Sequence, residues 1–172
     1  LRTINNHSIT DACVKNDIYR QMTTHRESFA EQMKFLSENN YNILSCDEAV
    51  NMIKTNVPIS SKSVCITFED GFKDNLTNAL PVLQRYGFKA TIFLTVEYIK
   101  NGAEYLDWSD IRSLLKTGLI GFGAHSLSHK RLQGLNRNNL EKELRMSKRI
   151  LEDNLKTAID LFAYPFGSYG SF

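Results

Sequence analysis

Ser63-Val64-Cys65-Ile66-Thr67-Phe68-Glu69-Asp70-Gly71-Phe72 is a run of apolar and β-branched residues that stops on two adjacent carboxylates and a glycine. A strand with no polar face is covered on both sides, as in the parallel sheet of an α/β fold. Such sheets and barrels carry their chemistry at the C-terminal ends of their strands, where Glu69 and Asp70 fall. A second apolar run, Leu119-Ile120-Gly121-Phe122-Gly123-Ala124, ends on His125-Ser126-Leu127-Ser128-His129. Asp70, His125 and His129 together offer one carboxylate and two imidazoles, a donor set that suits a single divalent ion such as zinc with a position left for water. The i, i+4 spacing lets both histidines point to one side if His125–His129 forms a helical turn. Glu69, next to a ligand yet outside the set, is placed to act as a base on a water. The same residues admit a plainer reading, a turn at Gly71 and two loop histidines.

Outward from these strands the pattern alternates. Phe29, Met33 and Leu36 predict a helix over 26–38, and Tyr41–Leu44 a short strand. A helix over 48–54 is expected with Asp47 as its cap. Leu76, Leu80 and Leu83 mark another helix over 74–86, kinked or split at Pro81 and closed by Gly87. Ala90–Leu94 reads as a strand. A helix capped by Ser109 and closed near Gly118 follows. A long amphipathic helix over 138–155 carries Leu140, Leu144, Ile150 or Leu151, and Leu155 as its stripe. Ile159–Gly167 is a strand breaking at Pro165, and residues 1–24 are polar and read as an arm or loop. Alternating strands and helices predict an α/β fold with a mainly parallel sheet or barrel.

With 172 residues, one domain is expected. The 21 basic residues nearly balance 19 acidic ones, which gives no electrostatic case for nucleic acid or an anionic membrane. No apolar run approaches the ~20 residues that cross a bilayer. The start at Leu1, without a signal-peptide pattern, suits a processed or trimmed chain. Cys13, Cys46 and Cys65 form no C-x-x-C pair, so cysteine offers no zinc site, and Cys65 reads as a small buried hydrophobe. There is no Gly-rich phosphate loop and no G-x-S-x-G elbow. His7 and His25, in polar surroundings, read as surface residues. Tyr105 and Trp108 suit either a sugar-stacking groove or the core. Tyr164 and Phe166 suit either the wall of a pocket or the core.

Three motifs in order resemble the polysaccharide deacetylase family of carbohydrate esterases, the NodB-homology domain. They are Thr67-Phe68-Glu69-Asp70-Gly71 for T-F-D-D-G, His125-Ser126-Leu127-Ser128-His129 for H-[ST]-x-x-H, and Ala163-Tyr164-Pro165-Phe166-Gly167 for part of R-x-P-[YFW]-G. Tyr86–Leu94 also resembles the family's second core strand. The resemblance runs from about Arg26 to Gly167, so the domain is placed at 25–172 behind the arm. It implies a distorted (β/α) barrel that removes acetyl groups from N-acetylated sugars. By that resemblance Asp70, His125 and His129 hold zinc or a similar divalent ion, and Glu69 is the base. Tyr164, Pro165 and Phe166 contact substrate, the backbone N–H of Phe166 helping to hold the oxyanion. The lead-in from Phe29 to Ala49 looks most like the branch that deacetylates poly-N-acetylglucosamine. The implied partner is therefore an N-acetylglucosamine polysaccharide, outside the cell or on its surface.

Three features depart from the family pattern. Glu69 stands where the family has Asp. Ala163 replaces the arginine that orients the base. The last two motifs, a hydrophobic wall and a general-acid histidine, do not appear before Phe172, so the barrel is expected to be incomplete at its C-terminus. Two other functions fit the same residues: a catalytically weak or inactive carbohydrate-binding protein on this fold, or a metal-dependent hydrolase of another ester or amide such as acetylated xylan.

Overall fold

The computed structural model describes residues 1–12, 22–100 and 103–169; Cys13 and Phe172 lie outside them. Its centre is β5 (Ser63–Asp70), buried along its whole length except at Glu69. Every pairing in its sheet is parallel. β1 (Arg2–Asn6) lies along one edge in the register Arg2↔Val64 to Asn6↔Phe68. The other edge is shared: β4 (Asn42–Leu44) covers Ser63–Cys65, and β6 (Ala90–Leu94) covers Thr67–Asp70. β7 (Ile120–Ala124) pairs with β6. A small parallel pair, β2 (Ser8–Ile9) with β3 (Thr23–Thr24), stands apart. The α/β class expected from alternation is what forms.

Parallel neighbours need crossovers, and helices supply them. α1 (Arg26–Glu38) buries Phe29, Met33 and Leu36, the residues its spacing picked out. Phe29 packs its ring 5.9 Å from that of Phe68. α2 (Cys46–Lys54) is capped by Ser45 rather than Asp47: the Ser45 hydroxyl accepts the Glu48 N–H, and the Glu48 carboxylate accepts the Ser45 N–H. A Ser-x-x-Glu box satisfies two otherwise unpaired N–H groups at once, which a lone Asp47 cannot. α4 (Trp108–Lys116) is likewise closed by Asp107 with Asp110, not by Ser109. Before α3 (Leu80–Tyr86) the chain makes a π-helical turn, Asn75–Ala79. Pro81 thus sits in the first turn of α3, where its missing N–H costs nothing. Gly87 closes α3 in the left-handed conformation, as expected.

Three expectations are corrected. Within 1–24, read as arm or loop, Arg2–Asn6 is a sheet strand. It lacks an apolar stripe because side-chain amides help hold it: Asn6 Nδ2 donates to the Thr67 carbonyl, and the Thr67 hydroxyl donates to Asn5 Oδ1. The helix α5 (Arg137–Leu155) buries Glu143, Ser147, Leu151 and Leu155, while Leu140, Leu144 and Ile150 are only half-buried. Ile159–Gly167 is not a full strand. A single bridge joins Phe162 to Ala124, and a 3-10 turn, Pro165–Gly167, follows. Proline has no N–H to extend the ladder.

Candidate metal and catalytic site

Register assembles the site. Asp70 pairs with Leu94, and Leu94 pairs with Ala124, so β5, β6 and β7 end level. Asp70 and His125 therefore flank the end of β6 from its two sides. β1 continues the row, because Asn6 opposite Phe68 sets His7 beside Glu69.

At the end of β5 the Gly71 N–H donates to the Glu69 carbonyl, a three-residue γ-turn with Asp70 at its centre and φ at 69°. That form is rare and strained. Ser126, His129 and Phe166 also hold positive φ, so four of the seven such non-glycine residues among the described ones lie here. Strain concentrated this way marks functional sites. It also shows why the histidines converge. His125–His129 is an irregular bend rather than the expected helical turn, and the Ser126 hydroxyl accepts the His129 N–H to close it.

His129 Nε2 lies 3.2 Å from Asp70 Oδ1, and His125 Nε2 lies 3.8 Å from the same oxygen. All three donor atoms sit within 4.8 Å of one another. Among the described residues they are the group of imidazoles, thiols and carboxylates suited to hold an ion. His125 Nδ1 is 2.9 Å from the Ala163 carbonyl, which can only accept. The proton is therefore on Nδ1, and the Nε2 lone pair faces the site. Asp70 Oδ1 and His125 Nε2 are buried without a hydrogen-bond partner. Orphaned buried polar atoms are rare and call for an explanation, and a divalent ion satisfies both. Burial holds both imidazoles below the usual histidine range, so they stay neutral and able to ligate. Burial also pushes Asp70 up, outweighing the opposing effect of His125 and His7. The residues fit the metal that the resemblance implies.

Glu69 stands beside this group, with Oε2 3.5 Å from His125 Nε2. Its other neighbours come from β1 and the residue after it: Asn5 Nδ2 donates to Oε1 at 3.0 Å, and His7 Nε2 lies 3.3 Å from Oε2. Burial raises its pKa, but the His7 hydrogen bond, the electrostatic influence of the nearby His125 and His7 rings, and the Asn5 hydrogen bond together bring it below the usual carboxylate value. The sequence places His7 at the surface, but its side chain is only 21% exposed. Asn75, in the π-helical turn, donates to the His7 carbonyl at 2.8 Å and fixes its place. His25 is exposed, as expected. The backbone of Ala163, where the family has arginine, serves the site through its carbonyl.

Aromatic rings line one side. The Phe166 ring meets His129 edge-on at 4.8 Å, and Tyr98 lies 5.7 Å from His129 and 4.6 Å from Tyr105. Tyr105 thus backs Tyr98, the ring that meets His129, whereas Trp108 packs against the core. Phe166 is 61% exposed. Tyr164 packs between Phe162 and Tyr169, further out.

A parallel α/β sheet with this donor set and an adjacent carboxylate at its strand ends defines a hydrolase-type site. The chain belongs to the polysaccharide deacetylase family, whose profile matches residues 56–171. It is 33% identical over 144 residues to YxkH of Bacillus subtilis, named for the same family, covering 84% of this chain and 51% of that protein. It is 25% identical over 154 residues to a poly-beta-1,6-N-acetyl-D-glucosamine N-deacetylase of Staphylococcus aureus, covering 83% and 53%. The chain thus spans about half the length of the curated relatives it matches. The crystal structure of BC0361, a polysaccharide deacetylase from Bacillus cereus, superposes with a TM-score of 0.84 at 27% identity over 98% of this chain and 52% of that one. The sheet described above is thus the NodB-type α/β framework that the resemblance implied.

Proposed function

We propose that this chain carries the core of a metal-dependent N-deacetylase that removes acetyl groups from N-acetylglucosamine units of an extracellular or cell-surface polysaccharide. The observation that carries this reading is the convergence of Asp70, His125 and His129, two of them with orphaned atoms, beside Glu69, which lies outside the group and whose pKa is held below the usual carboxylate value. A divalent ion there, zinc being the best match to two imidazoles and a carboxylate, supplies Lewis-acid polarisation of the acetamide carbonyl and an acidified water.

The side chains divide the remaining work. Glu69 takes a proton from the attacking water as the new C–O bond forms. The C–N bond breaks only if the nitrogen is protonated, because an amide anion is too poor a leaving group. His7, close against Glu69, donates that proton, and the products are acetate and a free amine. Asn5 in β1 and His7 just after it grip the longer Glu69 carboxylate, on a chain where position 163 offers no arginine. That grip favours an enzyme over a carbohydrate-binding protein on the same fold. Phe166 supplies a backbone N–H toward the oxyanion, by resemblance to the family. Its exposed ring, with Tyr98 and Tyr105, gives flat faces against which sugar rings stack. The relative named for poly-β-1,6-N-acetylglucosamine supports the choice of sugar. Such polymers lie outside the cell, which is the basis for the proposed location. Among the described residues no helix is long and apolar enough to cross a membrane.

The test is acetate release from N-acetylglucosamine oligomers by the chain stripped of metal and then supplied with zinc, run beside O-acetylated xylan. Zinc-dependent release from the N-acetyl substrate supports the proposal. Preference for xylan makes the chain an esterase, and no release from a zinc-loaded chain favours the binding reading.

A further inference from the structure

Glu143 has no part in the chemistry above, yet it is among the most unusual side chains in the molecule. It lies near the middle of α5 and is only 5% exposed. An ionised carboxylate that deep is costly unless its oxygens are hydrogen-bonded. Among the described residues, the hydrogen-bond partners of its carboxylate come from the bend between the two histidines. Oε2 accepts the Leu127 N–H at 3.0 Å and the Ser128 N–H at 2.9 Å, and Oε1 accepts the Ser128 hydroxyl at 2.6 Å. The bend needs this help, since Ser126 and His129 both hold positive φ and no helix or ladder satisfies its N–H groups. The first histidine is fixed from elsewhere, by the pairing of its N–H with Leu94 and of its ring with Ala163. The second follows Leu127 and Ser128 directly in the chain, its own N–H held by the Ser126 hydroxyl, while the Val96 and Glu97 N–H groups hold the Ser126 and Leu127 carbonyls.

We propose that Glu143 is a positioning residue for the metal site: its carboxylate pins the Leu127–Ser128 backbone to α5 and so sets where His129 can place its imidazole. The inference rests on the reading of Asp70, His125 and His129 as ligands. Partners one layer behind metal ligands characteristically change metal affinity about 10–100-fold when removed.

Three variants of the full chain separate position from charge and from general stability. Glu143→Ala removes all three hydrogen bonds. Glu143→Gln keeps them without the charge, because its carbonyl accepts both N–H groups and its amide donates to the Ser128 oxygen. Leu151→Ala weakens the same helix from a fully buried position two turns away and leaves the bend's hydrogen bonds in place. Zinc affinity is read by competition with a chelating dye, and amide hydrogen exchange at Leu127 and Ser128 is read on the zinc-free chain.

The expected result is a 10–100-fold loss of zinc affinity and of amide protection in Glu143→Ala. Glu143→Gln should stay within about threefold of the parent in affinity, since its bonds survive in neutral form. Leu151→Ala should keep its affinity despite a lower Tm. Equal losses in the Gln and Ala variants would show that charge matters and overturn the proposal. So would equal losses in Leu151→Ala, which would show a general structural effect. If the parent chain binds no zinc, the metal reading falls. Amide exchange then decides alone whether Glu143 pins the bend, and unprotected Leu127 and Ser128 in the parent chain would refute it.

Discussion

Replacing His7 by alanine tests the proton donor directly. His7 Nε2 lies 3.3 Å from Glu69 Oε2, and its side chain is 21% exposed. Two losses follow. Glu69 forfeits one of its two holds on the β1 side, and because the pair touches solvent the low end of a charge-assisted hydrogen bond applies, about 1.4 kcal/mol or tenfold in rate. The departing amine forfeits its acid, a step that general acid catalysis accelerates about 10²–10⁴-fold. On N-acetylglucosamine oligomers kcat should therefore fall by roughly three to five orders of magnitude if the two losses add. On 4-nitrophenyl acetate the leaving phenolate needs no proton, so only the loss of about tenfold should remain. Zinc affinity should not change, since His7 is outside the ligand group. The acid limb of the pH profile should move to higher pH, because a neighbour that holds the Glu69 pKa down is gone. The assay is acetate and nitrophenolate release by parent and variant across pH 5–9. Equal losses on the two substrates, or near-parental turnover of the acetamide, would refute the assignment.

Three further outcomes are expected. Glu69→Gln should keep zinc affinity and lose at least about 10²-fold in kcat on the acetamide, since the carboxylate that takes the proton is gone while the ligand group is intact; measured turnover against bound zinc checks this. Gly71→Ala should cost about 1–3 kcal/mol, read as a lower Tm, because φ is +79° and the new Cβ would stand 2.7 Å from Leu94 Cδ2. In zinc-free Asp70→Asn, which removes a carboxyl of opposite sign, the urea midpoint should fall as the pH drops below about 6.5. Burial depresses the folded pKa of His125 and His129, so the unfolded chain takes up protons first and acid favours it.

The parts of the site that the sequence made legible are those whose neighbours in space are neighbours in the chain. Ser63–Gly71 carries its own evidence for burial on both faces and for an abrupt end, and it became the central strand with the carboxylates at its tip. His125 and His129 were visible as a pair. Their i, i+4 spacing predicts convergence through a helical turn, the local route to one side. The actual route, a bend with Ser126 and His129 at positive φ, carries only a weak signature, because serine has no preference for that region and histidine a small one. The caps at Ser45 and Asp107 are legible in the sequence, since Ser-x-x-Glu and Asp-x-x-Asp carry the three-residue reciprocity of a capping box.

Asn5, His7 and Glu143 could not be found in that way, and the reason is the same for each. Their meaning comes from partners at a distance along the chain: 64 residues from Asn5 to Glu69, 16 and 15 from Glu143 to Leu127 and Ser128. Burial alternates from Thr3 to Asn6, but the most buried position is the amide Asn6 rather than an apolar residue, so nothing local says that His7 continues a parallel register to the end of β5. Glu143 lies on a helix dense in charge, where periodicity assigns acids to the solvent face. The leucine stripe at 140 and 144 then takes the buried place that Glu143 and Ser147 occupy. A carboxylate can win that place over leucine only when the surface it meets is made of unpaired N–H groups, and that surface exists only once the histidine bend has folded against α5. A hydrophobic pattern records what fills a core. The polar residues that turn a strand end into a catalytic centre are specified by the hydrogen bonds the rest of the fold leaves open.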